Sequence, residues 1–464
     1  MSFSNNYSKI IKYVLIAVCT EPLHIGDASG DPEDVLIHPV DGLPFIQASS
    51  IAGVFRNYYQ EVFGEESAEI LFGGSRYDEV NGTQMGSQIN FGDGRFLMDK
   101  SGLKMELRPR VSINPSTGTC DTSTVKGTSR QSGHKFNMTY IGAGARFVFP
   151  VYLYASELQN NLENIFSAMN REILQFGGQK SNGCGYMKIE KLLCKEFNMR
   201  DAEDRKLWFC EESLEERVYS DKTKSLKKET TMKNAYQILV EGCTEGQLLI
   251  KSIAVSDYGK GTPDSMNIQN CQGEYIVPGS SFKGAVRNQM EKIVSYLHQQ
   301  GICDKDVVAD AFGKVGTKQQ SGKSVNLYFF DTIVGDKEEN DLMPLSHRIH
   351  IDKFTGGVMH GGLFSEKNIA GNMSFKINVR DKNNPDRTCE ILLMVLRDLA
   401  AGVMSVGGGY SVGKGVISVG KIKIISEKDG KCAIVDYKNK KIMDDHQLIQ
   451  RCMSAVYGGM IDNV

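Results

Sequence analysis

The stretch IVPGSSFKGAVRN (residues 276–288) repeats IQASSIAGVFRN (residues 46–57) from the first half of the chain. Four further signatures recur in the same order at nearly constant spacing: LFGGS as AFGKV, RVSINPSTG as RIHIDKFTG, YIGAGARF as NIAGNMSF, and FGGQKSNGCGYMKI as VGGGYSVGKGVISV. Ordered self-similarity of this kind indicates copies of one structural unit. The sequence therefore predicts two similar domains, separated by small differences in loop length.

Each copy has the same order of predicted elements. An apolar strand precedes a helix with near-3.6-residue apolar spacing (SIAGVFRNYYQEVFG, then SSFKGAVRNQMEKIVSYL), and strands, a polar loop and a second helix follow. This order predicts an α+β protein made of two tandem ferredoxin-like units. We predict a first domain over residues 1–197, a charged linker with one helix over 198–234, a second domain over 235–426, and a C-terminal extension of a strand pair and a short helix over 427–464.

Composition limits the class of protein. The 464 residues are 41% hydrophobic and 24% charged, and no apolar run approaches the roughly 18 residues of a membrane span. Eleven scattered cysteines without a CxxC pair indicate reduced thiols in a cytoplasmic protein, with neither zinc nor a membrane expected. The net charge of −2 shows no global basic excess, so nucleic-acid binding requires cations gathered on one face.

The glycine-rich signature GGxxxxGxG follows a helix and precedes a strand in both copies. Its glycines are Gly177, Gly178, Gly183 and Gly185, and Gly407, Gly408, Gly413 and Gly415. A Rossmann or phosphate-loop site requires the opposite order of strand and helix. Two interpretations remain, a helix end with a tight turn and a close approach of phosphate to the loop amides. The lysines within the loops, Lys180 and Lys414, favour the second.

The repeated serines mark the start of a predicted helix. Ser49 and Ser50, and Ser280 and Ser281 in the second copy, are expected to cap it. A helix start offers unpaired N–H groups and the positive end of a dipole, which suits a phosphate. Lys283, Arg287 and Arg56 add positive charge nearby, whereas Ala52 stands where the second copy has its lysine. Plain capping is the alternative, and we favour RNA contact in the second copy.

Together these motifs resemble the RAMP superfamily of CRISPR-associated proteins. The likeness is carried by the LHIG segment with His24, the two serine-marked helices, LFGG and AFGK, the strings beginning at Arg110 and Arg348, GGLFSEKNIAGNMSF and both glycine-rich loops. The tandem arrangement is similar to the fused Cas7-like backbone subunits of type III, III-D-like, effector complexes. The resemblance implies an RRM-like fold with a thumb hairpin in each copy, over residues 117–144 and 355–371.

The resemblance also implies partners and chemistry. Expected partners are crRNA, target RNA and Cas10-like, Cas5-like, Cas11-like and further Cas7-like subunits. RNA contacts are expected from His24, Arg348 and the serines, lysines and arginines already named. The cleaving aspartate of the family falls on Pro32 and Pro263 here, so Asp31, Asp34 and Asp264 become the catalytic candidates, with Mg²⁺ as the expected cofactor.

Three functional hypotheses remain open at the level of sequence. The chain is a backbone subunit that also cuts target RNA, or it is an RNA-binding scaffold without chemistry, as the two prolines favour. A crRNA-processing ribonuclease of the histidine-dependent RAMP type is the third, with His24 and His38 as its candidates near the first helix. His347 and His350 are further candidates for bases or RNA contacts.

Overall fold

The computed structural model describes residues 8–27, 31, 33–74, 86–114, 122–124, 131–133, 135–209, 218–226, 234–252, 263–314, 316, 322–444 and 446–457. The chain forms two compact units, each considered by itself below. The first contains Met1–Met105, Thr139–Lys180 and Cys184–Lys233, and the second contains Glu106–Met138, Ser181–Gly183 and Asn234–Val464. Two segments of the first sequence repeat thus belong to the second unit. The domain boundaries drawn from the sequence stay a prediction.

The elements up to residue 221 are β1 (Lys9–Cys19), β2 (Phe45–Ile46), α1 (Ala48–Phe63), α2 (Glu65–Phe72), β3 (Ile89–Phe91), β4 (Gly94–Phe96), β5 (Met105–Val111), β6 (Thr122–Thr124), β7 (Gln131–Gly133), β8 (Lys135–Ile141), β9 (Arg146–Leu153), α3 (Gln159–Asn170), β10 (Met187–Asn198), α4 (Ala202–Phe209) and β11 (Ser220–Asp221). The linker prediction of a helix near residues 207–219 overlaps α4 only at its end, and residues 210–217 lie outside the described part.

The elements from residue 236 are β12 (Tyr236–Thr244), β13 (Ile276–Val277), α5 (Gly279–Gln299), α6 (Asp306–Phe312), β14 (Leu327–Phe329), β15 (Thr332–Ile333), α7 (Lys337–Leu342), β16 (Ser346–Ile351), β17 (Val358–Glu366), β18 (Asn372–Val379), α8 (Pro385–Ala400), β19 (Ile417–Ser426), β20 (Lys431–Asp436), β21 (Lys441–Met443) and α9 (Leu448–Tyr457). The strand pair β20–β21 and the helix α9 confirm the elements expected in the tail. Among the described residues, no helix has the length and apolar character needed to cross a membrane.

The same sheet is built in both units. The first sheet has the order β11-β10-β1-β9-β4-β2, with β3 on β9, and the second has the order β14-β18-β12-β19-β20-β21. The central strands β1 and β12 are each antiparallel to both neighbours. Each has a register shift against the strand on one side, after Ile16 in β1 and after Glu241 in β12. These antiparallel sheets with helices confirm the predicted α+β class of two tandem ferredoxin-like units.

The helices pack their apolar faces on the sheets. In α1 the side chains of Ile51, Phe55 and Tyr58 are buried, at the helical spacing that the sequence predicts. The corresponding helix α5 buries Phe282 and Val286, along with Met290, Val294 and Leu297. Each unit has its own apolar cluster, so each contains a core of its own.

Two hairpins correspond to the expected thumbs. The second is formed by β16 and β17, which pair from Ser346 with Glu366 to Ile351 with Val358. The first involves the paired strands β5 and β8 and the short pair β6 and β7. Residues 117–121, 125–130 and 134 of the first predicted thumb lie outside the described residues.

Candidate nucleic-acid interface

The glycine-rich loops form backbone hydrogen bonds with the segments that follow the central strands β1 and β12. Four loop amides donate to backbone carbonyls: Gly178 to His24 (2.8 Å), Gly185 to Pro22 (2.9 Å), Gly408 to Leu249 (2.8 Å) and Gly415 to Gln247 (2.9 Å). The pattern is the same in both repeats. These four N–H groups are used inside the protein, so the structure favours the tight-turn interpretation over a phosphate cradle at these positions.

Close backbone approach explains why glycine is required there. Gly185 and Gly415 have φ values of +86° and +77°. A Cβ added at Gly185 would lie 2.0 Å from the carbonyl oxygen of Phe176, and one at Gly415 would lie 2.1 Å from that of Val406. No other residue fits this geometry without backbone movement.

Lys414 does not have the exposure expected of a phosphate contact. Its residue is 4% exposed, and its ammonium is ion-paired with Glu366 and donates to Oδ1 of Asn368 at 2.6 Å. Arg348 shares this carboxylate, with 3.3 Å between its Nε and Oε2 of Glu366. Lys414 therefore ties the loop to the base of the β16–β17 hairpin, whereas Lys180 of the first loop is exposed.

The histidine candidates are placed in different surroundings. His24 is buried, and its Nδ1 lies 2.8 Å from the carbonyl oxygen of Thr139, so the predicted RNA contact by its ring is not supported. Nδ1 of His38 lies 3.5 Å from a carboxylate oxygen of Asp41. His347 and His350, by contrast, are exposed on β16. The burial of His24 therefore does not favour the hypothesis of a histidine-dependent ribonuclease that uses this residue.

Aspartates, and not the predicted serines, stand at the two helix starts. Asp93 accepts a hydrogen bond from the N–H of Ala48, and Asp331 accepts one from the N–H of Gly279, both at 2.8 Å. The serine-cap prediction is wrong because α1 and α5 begin before their serines, which lie inside the first turn: Ser49, Ser50, Ser280 and Ser281.

The sequence contained a signal for these aspartates. Each lies two residues after a short strand, in FGD after β3 and in FFD after β14, and their spacing equals that of Arg110 and Arg348. A carboxylate at this position pairs with an unpaired N–H and with the positive end of the helix dipole. The serines by themselves do not reveal this carboxylate.

Three cations lie close to one another near the start of α5, within the second unit. Nζ of Lys283 donates to Oγ of Ser181 at 2.6 Å. Burial, and then the charges of Arg287 and Arg110, lower the pKa of Lys283 to about 8. Arg287 is about half exposed and its Nε lies 2.9 Å from Oε1 of Glu291. The structure thus brings together Lys283 and Arg287, which the sequence predicts as RNA contacts, and Arg110. From the sequence, Arg110 was noted only as the start of a repeated motif.

The first repeat has a weaker version of this arrangement. Arg56 is half-buried on α1 and Ser49 is exposed, but Ala52 occupies the position of the half-buried Lys283. Neighbouring arginine charges that lower the pKa of a lysine favour the arrival of an anion, and this feature is present at Lys283 of α5.

The acidic candidates lie in turns. Oδ1 of Asp31 accepts from the N–H of Glu33 at 2.9 Å, and the Asp31 carbonyl accepts from the N–H of Asp34 at 3.1 Å. Oδ2 of Asp264 accepts from both the N–H and the hydroxyl of Ser365, at 2.6 and 3.1 Å. These bonds hold the pKa of Asp264 below its usual range. Asp264 is therefore an exposed carboxylate attached to β17, at the base of the hairpin.

The described residues do not form a protein-held metal site. No three histidine, cysteine, aspartate or glutamate side chains converge in the described part of the chain. Asp264 offers a carboxylate of which one oxygen already bonds Ser365. We therefore derive no step through a metal ion bound by the protein.

Two regions of the chain match a known protein family. The RAMP superfamily model matches residues 17–188 and 255–418. A chain in the cryo-EM structure of the Type III-B Cmr-beta bound to cognate target RNA is 19% identical, with a TM-score of 0.31, over 40% of this chain and 61% of that one. No curated protein matches. The two family-model regions cover most of the sequence and coincide with its repeats, so the chain belongs to the RAMP superfamily, as its repeated motifs predicted.

Proposed function

We propose that the chain is a Cas7-like backbone subunit of a type III CRISPR effector complex, of III-D-like type, that binds crRNA and target RNA. The observation that carries the proposal is the cluster of Lys283, Arg287 and Arg110 beside α5. A half-buried lysine with a lowered pKa and two neighbouring arginines gains most from an anion of high charge, such as an RNA phosphate.

The β16–β17 hairpin supports the same proposal. Its apolar side chains are exposed, with Ile349 at 52% and Leu363 at 65%. Exposed apolar side chains on a narrow hairpin suit insertion between stacked bases, the role that the RAMP resemblance gives to the thumb. Arg348, which lies on β16 beside Ile349, places a guanidinium near the base of the hairpin.

To test the proposal, RNA affinity is measured for the full chain and for a double variant that carries Lys283→Ala and Arg287→Ala. Removal of two phosphate contacts should weaken binding of fluorescent single-stranded RNA at least about tenfold, and it should reduce the slope of log affinity against log salt by about 1.4. Lys292→Ala is the matched control, because Lys292 is exposed on the same helix. Equal affinity and slope in the double variant and the control would refute the proposal.

Cleavage of target RNA is the second candidate. It is favoured by the position of Asp264, an exposed carboxylate at the base of the hairpin where a displaced nucleotide would lie. Its lowered pKa makes it a weak general base at neutral pH, so its contribution would come from negative charge and orientation. The alternative is a scaffold in which Asp264 only anchors its loop to β17.

Cleavage assays on assembled complexes distinguish a subunit that cleaves target RNA from one that only binds it. Asp264→Asn keeps the bond to Ser365 and removes the charge, so cleavage of labelled target RNA should fall by at least about a hundredfold if this acid takes part. Asp352→Asn, in the turn of the same hairpin, is the control. Unchanged cutting after replacement of Asp31, Asp34 and Asp264 together would establish the scaffold alternative, and sensitivity to EDTA would report on the expected Mg²⁺.

A further inference from the structure

A cleft of about 470 Å³ lies between α5 and α6 in the second unit. Its floor is apolar and is formed by Val294 on α5 and by Val308 and Ala309 on α6. A cavity of this size, with an apolar floor and a few polar groups around it, is typical of small-ligand sites. Its described lining includes no residue of the glycine-rich loops or of the β16–β17 hairpin.

A lysine stands at each end of the cleft. Lys305 directly precedes α6 and Lys314 follows it, so the seven residues of the helix, about 10 Å in length, separate them. Both lysines are exposed, and within the described part of the chain neither forms an ion pair. The one acid among the described lining residues, Glu291, is already paired with Arg287. The cleft therefore combines an excess of positive charge with an apolar floor.

Lys314 and Arg287 are held at the same end of the cleft. Gly313, with a φ of +78°, turns the chain after α6. Lys314 then exchanges two backbone hydrogen bonds with Lys323, at 3.1 and 2.9 Å. The guanidinium carbon of Arg287 lies 5.8 Å from the ring centroid of Phe312, the last residue of α6. This end of the cleft thus presents two cations that the fold keeps close to each other.

The first repeat does not carry the two lysines. When LFGG is matched with AFGK, Glu65 stands at the position of Lys305 and Gly74 at that of Lys314. Both α2 and α6 form, although the charges at these positions differ, so the fold itself does not require the lysines. Lysines without a structural partner are available to bind a ligand of opposite charge.

We propose that the α5–α6 cleft binds a nucleotide unit, a nucleoside that carries a phosphate on its 5′ side and another on its 3′ side. Lys314 and Arg287 pair with one phosphate and Lys305 with the other, while the base and sugar lie on Val294 and Val308. Charged donors form the stronger hydrogen bonds to phosphate, and apolar contact with the base adds to them. An internal residue of an RNA strand and a free nucleoside bisphosphate share this chemistry. The inference rests on the proposed function only where the nucleotide belongs to RNA.

The probe is adenosine 3′,5′-bisphosphate, titrated into the full-length chain without RNA and followed by calorimetry. We expect saturable binding at one site. Lys305→Ala with Lys314→Ala should weaken it at least about tenfold, because two charged donors are lost. Ser295→Trp, at an exposed position of α5 that lines the cleft, should weaken it similarly because the ring fills the space without a change in charge. Lys438→Ala with Lys441→Ala, exposed in and beside the β20–β21 turn, removes the same charge and should leave binding unchanged.

Three results would overturn the inference. The first is no binding at millimolar bisphosphate, and the second is binding that the lysine and tryptophan variants of the cleft leave unchanged. The third is equal competition by a glutamate peptide of the same net charge, which would show that the cleft selects negative charge and not a nucleotide.

The RNA affinity of the same variants identifies the source of the nucleotide. A parallel loss of affinity for single-stranded RNA supports a residue of the strand, and a loss for the bisphosphate alone supports a free nucleotide. RNA binding without bisphosphate binding rejects the cleft alone. Bisphosphate binding by a chain that binds no RNA supports the cleft and rejects the proposed function.

Discussion

Lys283 combines two properties that are rarely found in one lysine. It is half-buried, and the like charges of Arg287 and Arg110 act on it. Both effects disfavour the ammonium form, and the pKa of about 8 leaves most of the side chain charged at pH 7. Within the described part of the chain this ammonium donates to Ser181 and is not ion-paired with a carboxylate, so it can pair with an incoming phosphate.

The pH dependence of RNA binding follows from this pKa. As pH rises from 7 to 9, Lys283 loses its proton and its phosphate contact, so affinity should fall more steeply than in Lys283→Arg, which keeps its charge. Fluorescence anisotropy at fixed salt measures the two profiles. Parallel profiles would show that Lys283 makes no contact with the RNA.

Folding stability should respond in the opposite direction. The folded pKa of Lys283 lies below its unfolded value of 10.5, so the folded state holds fewer protons between about pH 8 and 10.5. Stability rises with pH wherever the unfolded state binds more protons. The contribution of this lysine therefore becomes more favourable across that interval, while its contribution to RNA binding is lost.

Among the elements, the glycine-rich loops show the clearest constraint. Gly415→Ala places a Cβ 2.1 Å from the Val406 carbonyl oxygen at a φ of +77°, and should lower the free energy of unfolding by about 3 kcal/mol or more. Gly413→Ala is the control, with a similar φ of +79° but open space around the added carbon, and should cost about 1–2 kcal/mol. Chemical denaturation measures both. Equal losses would mean that left-handed backbone strain, and not close approach, sets the requirement.

The helices and strands were largely predictable from the sequence, whereas the hydrogen bonds at the helix starts were not. Apolar spacing predicted α1 and α5 because burial of Ile51, Phe55 and Phe282 follows helical periodicity. The caps were mispredicted because a serine in a first turn and a serine at a cap look alike in sequence. The partner of each helix start lies just after a short strand, 45 residues after Ala48 and 52 after Gly279, and no local pattern specifies such a pair.

The same limit applies to Lys414. Its position in a glycine-rich loop is readable from sequence, but its burial against Glu366 depends on how β17 folds back to the loop. A lysine in a loop is usually solvated, and the sequence gives no sign that this one has a carboxylate partner 48 residues away. The repeat also misleads here, because Cys184 stands at the matching position of the first loop.

At the scale of the whole molecule, the repeat and the family were predictable, and the grouping of segments was not. Motif order alone identified two RAMP units. Residues 106–138 belong by sequence to the first copy and by structure to the second compact unit. That assignment depends on long-range pairs such as Arg108 with Asp331, which charge patterns along the chain do not reveal.

Arg108→Gln tests how much this pairing contributes. It leaves Glu106 and Asp331 without their shared cation, in surroundings where Arg108 is 5% exposed, so the free energy of unfolding should fall by about 3–5 kcal/mol. Arg95→Gln breaks a pair with Asp41 in which both side chains are more than 40% exposed, and should change stability by less than about 1 kcal/mol. Similar losses in the two variants would contradict a buried network.

The contact between β5 and the start of α5 is made within one polypeptide, and this affects how the contact depends on protein concentration. Two surfaces joined by a covalent chain meet at an effective concentration that does not fall when the protein is diluted. Docking of Arg108 on Asp331 is therefore insensitive to dilution of the protein.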